Sequence, residues 1–580
     1  MRRGRHGATR RIAALVAAAS ILAGCTSVSA VPQNPAADTD GTDFDFIDAG
    51  PTGVTVADGD DWSLPDWVRP AQNSGFFSED QDDSARVLVR SVDFSWRQLQ
   101  PQQGGSIDRT AAGEAQGMDF ASYDDQLGSA GDPTPGAFWM RIFASGVDWA
   151  PDWVAKDCGV SSYGPDYDGQ EHLPIWDECV WGHLMDTYRS VFVDGGLAAD
   201  PRLRFVYVPG AFTWAEYDYE MVTAAFDSGD LDFATYKAWH DHAWTDLVEL
   251  FGDNANKLVF TGEDYPFGPF GEDDDLLATA AVDAGMGIRT GITELSNFHL
   301  SEAPSYGSSI QPNGHLVVDE SLPVHDGTRV VATENECYTD CGYDTDDPYY
   351  AVRQSNLKAL QLRMNWVYVV PGPSYMSEFP EHWDWVRLSM GQKADTSADA
   401  WAALRDAEDA YWTNNELGRF ADPAAWPSLP FVRNLERWLV QVDEPGSIAH
   451  RTDADVRSEV FESDNGTAYE GLSTAVAEGD TGFAFDVDSA FATAAAQSRL
   501  VVKVTYLDDG AGDFAVTTDA GTSVAVAREG TGPGSSAQWR TATIALPDGG
   551  LGDGTGMRIA LAEGASDLVV RFVRLVRVDG

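Results

Sequence analysis

The sequence predicts an α/β protein: a (β/α)8 TIM barrel followed by a C-terminal antiparallel β-sandwich. Three observations carry that expectation. The 580 residues exceed one ordinary core, so more than one domain is expected. Over most of the chain, short apolar runs alternate with helix-spaced stretches, the pattern of a parallel sheet with crossover helices. From about residue 445 the pattern changes to two-residue alternation, which belongs to antiparallel strands.

In chain order, Arg2, Arg3, Arg5, Arg10 and Arg11 precede an apolar run, Ile12 to Ala23, that ends in Leu22-Ala23-Gly24-Cys25. The run is too short to span a bilayer comfortably. Small residues directly before a cysteine resemble the lipobox of bacterial lipoproteins. The resemblance implies a signal peptide over 1–24, lipidation of Cys25, and a protein held by its lipid on the extracellular face of the bacterial cell membrane. Thr9-Arg10-Arg11 hints at twin-arginine export. Residues 25–50, rich in Ala, Asp, Thr, Ser and Gly, read as a flexible tether.

Residues 51–444 carry the barrel pattern. Seven strand-like runs are visible: Val87–Trp96, Ala137–Ala144, Leu203–Phe212, Lys257–Thr261, Met286–Gly291, Arg329–Thr333 and Asn365–Val370. An eighth is expected near Pro70–Phe77, and eight close a barrel. Helices are expected over Phe233–Phe251, where Tyr236, His240, Ala243, Leu247 and Phe251 share a face, and over Tyr350–Met364. Residues 445–580 carry the sandwich. Val502, Val504 and Tyr506 face one way and Val501, Lys503 and Thr505 the other. Leu568–Val578 has the same character, and Asp508-Asp509-Gly510 marks a turn.

Besides Cys25, the cysteines are Cys158, Cys179, Cys337 and Cys341. An even number in an exported chain suggests two disulfides. Of the three pairings, Cys158–Cys179 and Cys337–Cys341 are favoured because each closes a local loop. The spacings fit a four-cysteine zinc site poorly. The formal net charge of −54 argues against nucleic-acid partners, since phosphate would be repelled. The acidity serves solubility or, alternatively, adaptation to salt.

A barrel of this kind keeps its chemistry at the C-terminal ends of its strands. Glu216 follows the fourth strand and Glu334 the seventh, so both carboxylates open onto one mouth. Glycosidic cleavage needs such a pair, one to protonate the leaving oxygen and one to attack or stabilise the anomeric carbon. A separation of about 5–5.5 Å gives retention and a wider one inversion. Glu263, at the end of the fifth strand, either binds sugar hydroxyls or forms an ion pair. Arg141 lies inside an apolar strand, where an unpaired charge is costly; it holds a carboxylate ionised at the site or makes a structural salt bridge. Trp96 and Trp214, near strand ends, are candidate faces for sugar stacking. His240 and His242 are two apart on a helix and do not share a face. The chain has no GxSxG, HExxH or GxxxxGK[ST] motif, none of its histidines sits in a recognisable triad, and no metal or cofactor is expected.

Several segments carry a family resemblance. VDFSWRQLQPQQGG (Val92 to Gly105), followed by Asp119-Phe120 and Tyr123-Asp124, looks like the second-strand region of β-galactosidase-like glycoside hydrolases. FWMRIFASGVDWAPDWV (Phe138 to Val154), LPIWDECVWGHLMDTYRSVF (Leu173 to Phe192) and DPRLRFVYVPGAFTWAE (Asp200 to Glu216) continue the pattern in order. Over roughly residues 70 to 420 the chain resembles the retaining (β/α)8 clan near glycoside hydrolase family forty-two. The resemblance implies a carbohydrate substrate, Glu216 as acid/base and Glu334 as nucleophile. The chain departs from the family in one place: Ala215 stands where an Asn commonly precedes the acid/base. An Asn-Glu pair occurs instead as Asn335-Glu336, which leaves Glu336 as the alternative to Glu334, with sugar binding its other role. The C-terminal sandwich is similar to β-modules attached to such enzymes, on YLDDGAGDF and Trp539, and either binds carbohydrate or packs on the barrel. The function so read is extracellular glycoside hydrolysis; the alternative is a non-catalytic glycan-binding lipoprotein on the same scaffold.

Overall fold

The computed structural model describes residues 46–47, 53–79, 86–87, 89–115, 118–129, 131–134, 136–166, 169–208, 220–261, 277–290, 304–333, 338, 347–369, 374–407, 433–452, 456–459, 466–530, 537–552 and 554–580. The signal segment, Cys25 and most of the expected tether lie outside them, as do Cys337 and Cys341.

Eight parallel strands close the expected barrel. They are β1 (Gly75–Phe77), β2 (Val89–Ser95), β3 (Ala137–Phe143), β4 (Leu203–Tyr207), β5 (Leu258–Phe260), β6 (Gly287–Thr290), β7 (Val331–Thr333) and β8 (Trp366–Tyr368). Each falls within one of the eight apolar runs. Partners follow chain order around the ring, and β8 closes on β1. The helices that pack outside include α1 (Asp152–Cys158), α2 (Glu178–Tyr188), α3 (Phe233–Phe251), α4 (Leu277–Ala284), α5 (Pro348–Gln361) and α6 (Pro380–Ser389). In α3 the residues buried include Tyr236, His240, Ala243, Leu247 and Phe251, the face the spacing predicts. Asp232 caps its first turn by accepting from the Thr235 amide at 2.8 Å.

The barrel interior is an aromatic plug. Phe77, Trp139, Phe205, Tyr207, Trp366 and Tyr368 point inward on alternate positions and form one buried cluster. Gly75 makes room at its base: a Cβ there would lie 2.7 Å from the Trp366 ring. The outward residues of the same strands, Phe76, Val206, Val331 and Val367 among them, join the larger core beneath the helices.

The C-terminal region is a sandwich of two antiparallel sheets. One runs Val54–Asp58, Gln538–Ala545, Leu500–Asp508, Val569–Arg577, Asp399–Ala403 and Leu435–Arg437; the other runs Leu439–Val442, Gly482–Val487, Gly556–Leu561, Phe514–Thr518 and Ser523–Val526. The domain boundary expected at 445 therefore falls inside the sandwich. Strands from 54–58, 399–403 and 435–442 belong to it, and pairing so distant in sequence leaves no local signal. The alternation read at 501–506 holds. Val502, Val504 and Tyr506 fill the core between the sheets, while Val501 joins the core shared with the barrel.

That shared face is a seam of aromatics and buried charge. Trp62 packs 4.7 Å from Trp385 and 5.2 Å from Phe572 between ring centroids. Asp60 accepts from Tyr349 at 2.6 Å and pairs with Arg571 at 2.9 Å. Arg353, from α5, pairs with Glu470 and lies 3.8 Å from Asp60. Arg574 pairs with Asp399 at 2.8 Å, and Lys503 with Asp61 at 2.7 Å. Burial alone would raise the Asp60 carboxyl, but Arg571 and Arg353 outweigh it and hold it below the usual carboxylate range. Burial works against Asp61 too, yet Lys503, Ser63 and Arg574 bring it down to about 2. Burial, reinforced by Arg574, lowers the Lys503 ammonium to about 8.

Cys158 and Cys179 form a disulfide, as the local pairing predicts, tying the end of α1 to the start of α2. With 21 residues of separation, the Cys158→Ser/Cys179→Ser variant is expected to lose about 3 kcal/mol of stability, read from chemical denaturation. The seam gives a pH dependence. The folded pKa of Asp61 lies below its ordinary 3.8, so the stability it lends is complete above about pH 5 and is lost as pH falls toward 2. Melting temperatures measured from pH 6 to pH 3 should fall less steeply in Asp61→Asn than in the wild type.

Candidate functional site at the barrel mouth

At the C-terminal ends of the strands the plug gives way to charge. On β3, Trp139, Arg141 and Phe143 alternate inward. Arg141 pairs in register with Asp93 on β2 and is 2% exposed. Its Nε and Nη2 donate to the two oxygens of Asp93 at 2.9 and 3.0 Å, a two-pronged contact that fits the planar guanidinium. Its Nη1 donates to Glu79, just past β1, at 2.5 Å. The guanidinium sits 4.9 Å from the Trp139 ring centroid and 5.1 Å from that of Phe143. A second buried arginine, Arg289 of β6, lies 5.4 Å from the ring centroid of Tyr207. Tyr368 completes the group: burial first, then the negative charge of Glu79, push its phenol well up, with Arg141 and Arg289 opposing.

Such a cluster can do two things. The two carboxylates, held in place by Arg141 and partly open to solvent, can accept hydrogen bonds from hydroxyls. The two arginines supply fixed positive charge in a region of low dielectric, where it acts strongly on anionic groups nearby. Among the described residues, Arg141 pairs with the carboxylates of Glu79 and Asp93.

The other sequence-predicted residues divide in two. Trp96 is a correction: it is 0% exposed, its Nε1 donates to Thr187 at 2.8 Å, and it packs in the core beside Trp153. No face is left for a sugar, because the short helix that opens at Trp96 turns the ring down under α2. Trp214, Glu216, Glu263, Glu334 and Glu336 lie outside the described residues. The sequence reading missed Asp93, Glu79, Arg289, Tyr207 and Tyr368. A charge inside an apolar run, the signal that singled out Arg141, was equally present at Asp93 and Arg289.

A serine–histidine–aspartate array lies beside the end of β3. Asp166 accepts from His172 Nε2 at 2.6 Å, which fixes the tautomer and leaves Nδ1 to accept from Ser145 Oγ at 3.0 Å. All three are buried, so the serine is not presented as a nucleophile. The array instead fastens the loop before α2 to the end of β3, aided by the Leu173 amide donating to the Ser145 carbonyl at 2.7 Å. His240, also buried, is lowered to about 3 by burial and next by Lys237, while His242 reaches Glu178 and Asp246 at 3.0 and 3.1 Å. The two histidines keep separate partners, as their spacing predicts.

No family profile and no curated protein matches the chain. Among solved structures it is similar to the isomalto-dextranase of Arthrobacter globiformis T6 complexed with panose, at 10% identity and a TM-score of 0.32, covering 90% of this chain and 100% of that one. A likeness at that level does not bear on activity; the barrel and sandwich rest on the strand pairings above.

Replacing Arg141 by Met strands Asp93 and Glu79 side by side. The expected loss is about 3 kcal/mol, the low end for a broken buried pair because Glu79 is partly solvated. Arg141→Lys should restore only part of it, since one ammonium cannot reproduce the two-pronged contact. Denaturant midpoints of both variants check this.

Proposed function

We propose that the protein is an extracellular glycoside hydrolase, tethered to the cell surface through Cys25, that cleaves O-glycosidic bonds of an oligo- or polysaccharide by a two-glutamate retaining mechanism. The observation that carries the reading is the closed barrel with a polar, arginine-clamped cluster at its strand ends. The chain sequence adds that Glu334 is the residue next after Thr333, where β7 ends, and that Glu216 lies in the connection that follows β4.

In this reading Glu216 protonates the departing oxygen and Glu334 attacks the anomeric carbon, forming a glycosyl ester that water then opens with Glu216 as base. Asp93 and Glu79 accept hydroxyl hydrogen bonds from the sugar. Arg141 holds both in place, and Arg289 stabilises negative charge across the mouth. The resemblance to β-galactosidase-like enzymes supports the assignment of roles.

The test is hydrolysis of a panel of aryl glycosides and polysaccharides by wild type, Glu216→Gln, Glu334→Gln and Glu336→Gln. Wild-type turnover, falling by about 10²–10⁴-fold in the first two variants with folding intact, is the expected result. Turnover that survives Glu334→Gln and is lost in Glu336→Gln moves the nucleophile to Glu336. Glycan binding without turnover on any substrate overturns the enzyme in favour of a binding protein, the reading that Ala215 keeps open.

A further inference from the structure

A groove of about 910 Å³ runs between the loop that precedes α2 and the start of α3. It shares no lining residue with the cluster around Arg141. Its walls carry two half-buried aromatic rings, Tyr163 and Trp176, 5.6 Å apart between centroids. Asp177, Glu178, Asp230 and Asp232 line it too, and neither lysine nor arginine is among its lining residues. The volume is that of a ligand cleft rather than of a packing gap.

The groove is held rigid from behind. Tyr163 and His172 exchange backbone hydrogen bonds at 2.9 and 2.8 Å. His172 is itself fixed between Ser145 and Asp166, and the Cys158–Cys179 disulfide closes the same loop. Trp176 rests edge-on against Tyr236 of α3, 6.3 Å away. Burial, and next the negative charge of Asp230, raise the Tyr163 phenol. Aromatic faces set in advance lose little freedom when a ligand arrives.

We infer that this groove is a second carbohydrate-binding site, which takes a segment of uncharged oligosaccharide against Tyr163 and Trp176. Its ligand class rests on the glycan reading above. The chemistry is specific. Ring faces stack on the apolar faces of sugars, and carboxylates accept from sugar hydroxyls with charge-assisted hydrogen bonds. With four acids, neither lysine nor arginine, and its one histidine, His242, held against Glu178, the groove repels uronates, sulfated glycans and phosphates. The loop that lines it is tied at Leu173 to Ser145, just past the end of β3, so the groove lies toward the C-terminal ends of the strands, where the proposed function places the substrate.

The test is equilibrium binding of neutral, uronate-bearing and deacetylated amino-sugar oligosaccharides to the full soluble chain, in a Glu216→Gln background that keeps the ligand intact. Trp176→Ala is expected to weaken binding of the neutral oligosaccharides at least about tenfold. Ala238→Arg, on an exposed groove position of α3, should do the same without disturbing the core, which covers the case in which Trp176→Ala misfolds. Neutral binding unchanged in Ala238→Arg, or tighter binding of either charged class than of the neutral one, overturns the inference. The two proposals separate cleanly. Groove-dependent binding in a protein whose wild type turns over nothing removes the hydrolase and keeps the site. Turnover with groove-independent binding does the reverse.

Discussion

The arrangement of the whole molecule depends on charge buried between its two halves. Asp60, Asp399 and Glu470 meet Arg353, Arg571 and Arg574 at the seam, and each of these groups is nearly closed to solvent. A buried ion is tolerable only with its partner in place. The partners come from the N-terminal segment, α5, and three separate strands or loops of the sandwich region. None can leave without stranding its own partner, so the seam favours one docking of sandwich on barrel. This explains why α5 is buried along nearly its whole length, where a barrel helix ordinarily keeps one face wet.

The seam and the mouth are built by opposite uses of the same residue type. At the seam, arginines neutralise acids and cement two layers. At the mouth, Arg141 and Arg289 stand on top of an aromatic plug, and Arg141 presents two carboxylates that stay partly open to solvent. The plug makes that possible: Trp139 beneath Arg141 and Tyr207 beside Arg289 fix each guanidinium against a ring, on strands that cannot shift without reopening the barrel. Groups held this way need no reorganisation when a ligand arrives.

Much of the scaffold was legible in the sequence. Strands buried on both faces read as continuous apolar runs, and so all eight barrel strands were found, down to the short Gly75–Phe77. The Cys158–Cys179 bond was legible because it closes a local loop. The strand Val54–Asp58 was not, because its five residues are exposed at a sheet edge and their partners lie near residue 542. Trp96 failed for a related reason: proximity to a strand end says nothing about which way a ring turns once a helix begins. Asp93 and Glu79 needed register, since only the pairing of β2 with β3 brings Asp93 opposite Arg141. The roles of Glu216 and Glu334 rest on chain position and resemblance.

The N-terminal segment has a mechanical consequence. Phe46–Ile47 pairs with Leu64–Pro65, and Val54–Asp58 forms the outer edge of the sandwich sheet. Immediately afterwards the chain is pinned by Asp60 and Asp61. A load on this segment is therefore shared by the Leu64–Pro65 pairing, the sheet edge and the salt bridges of the seam before the chain enters the first barrel strand at Gly75.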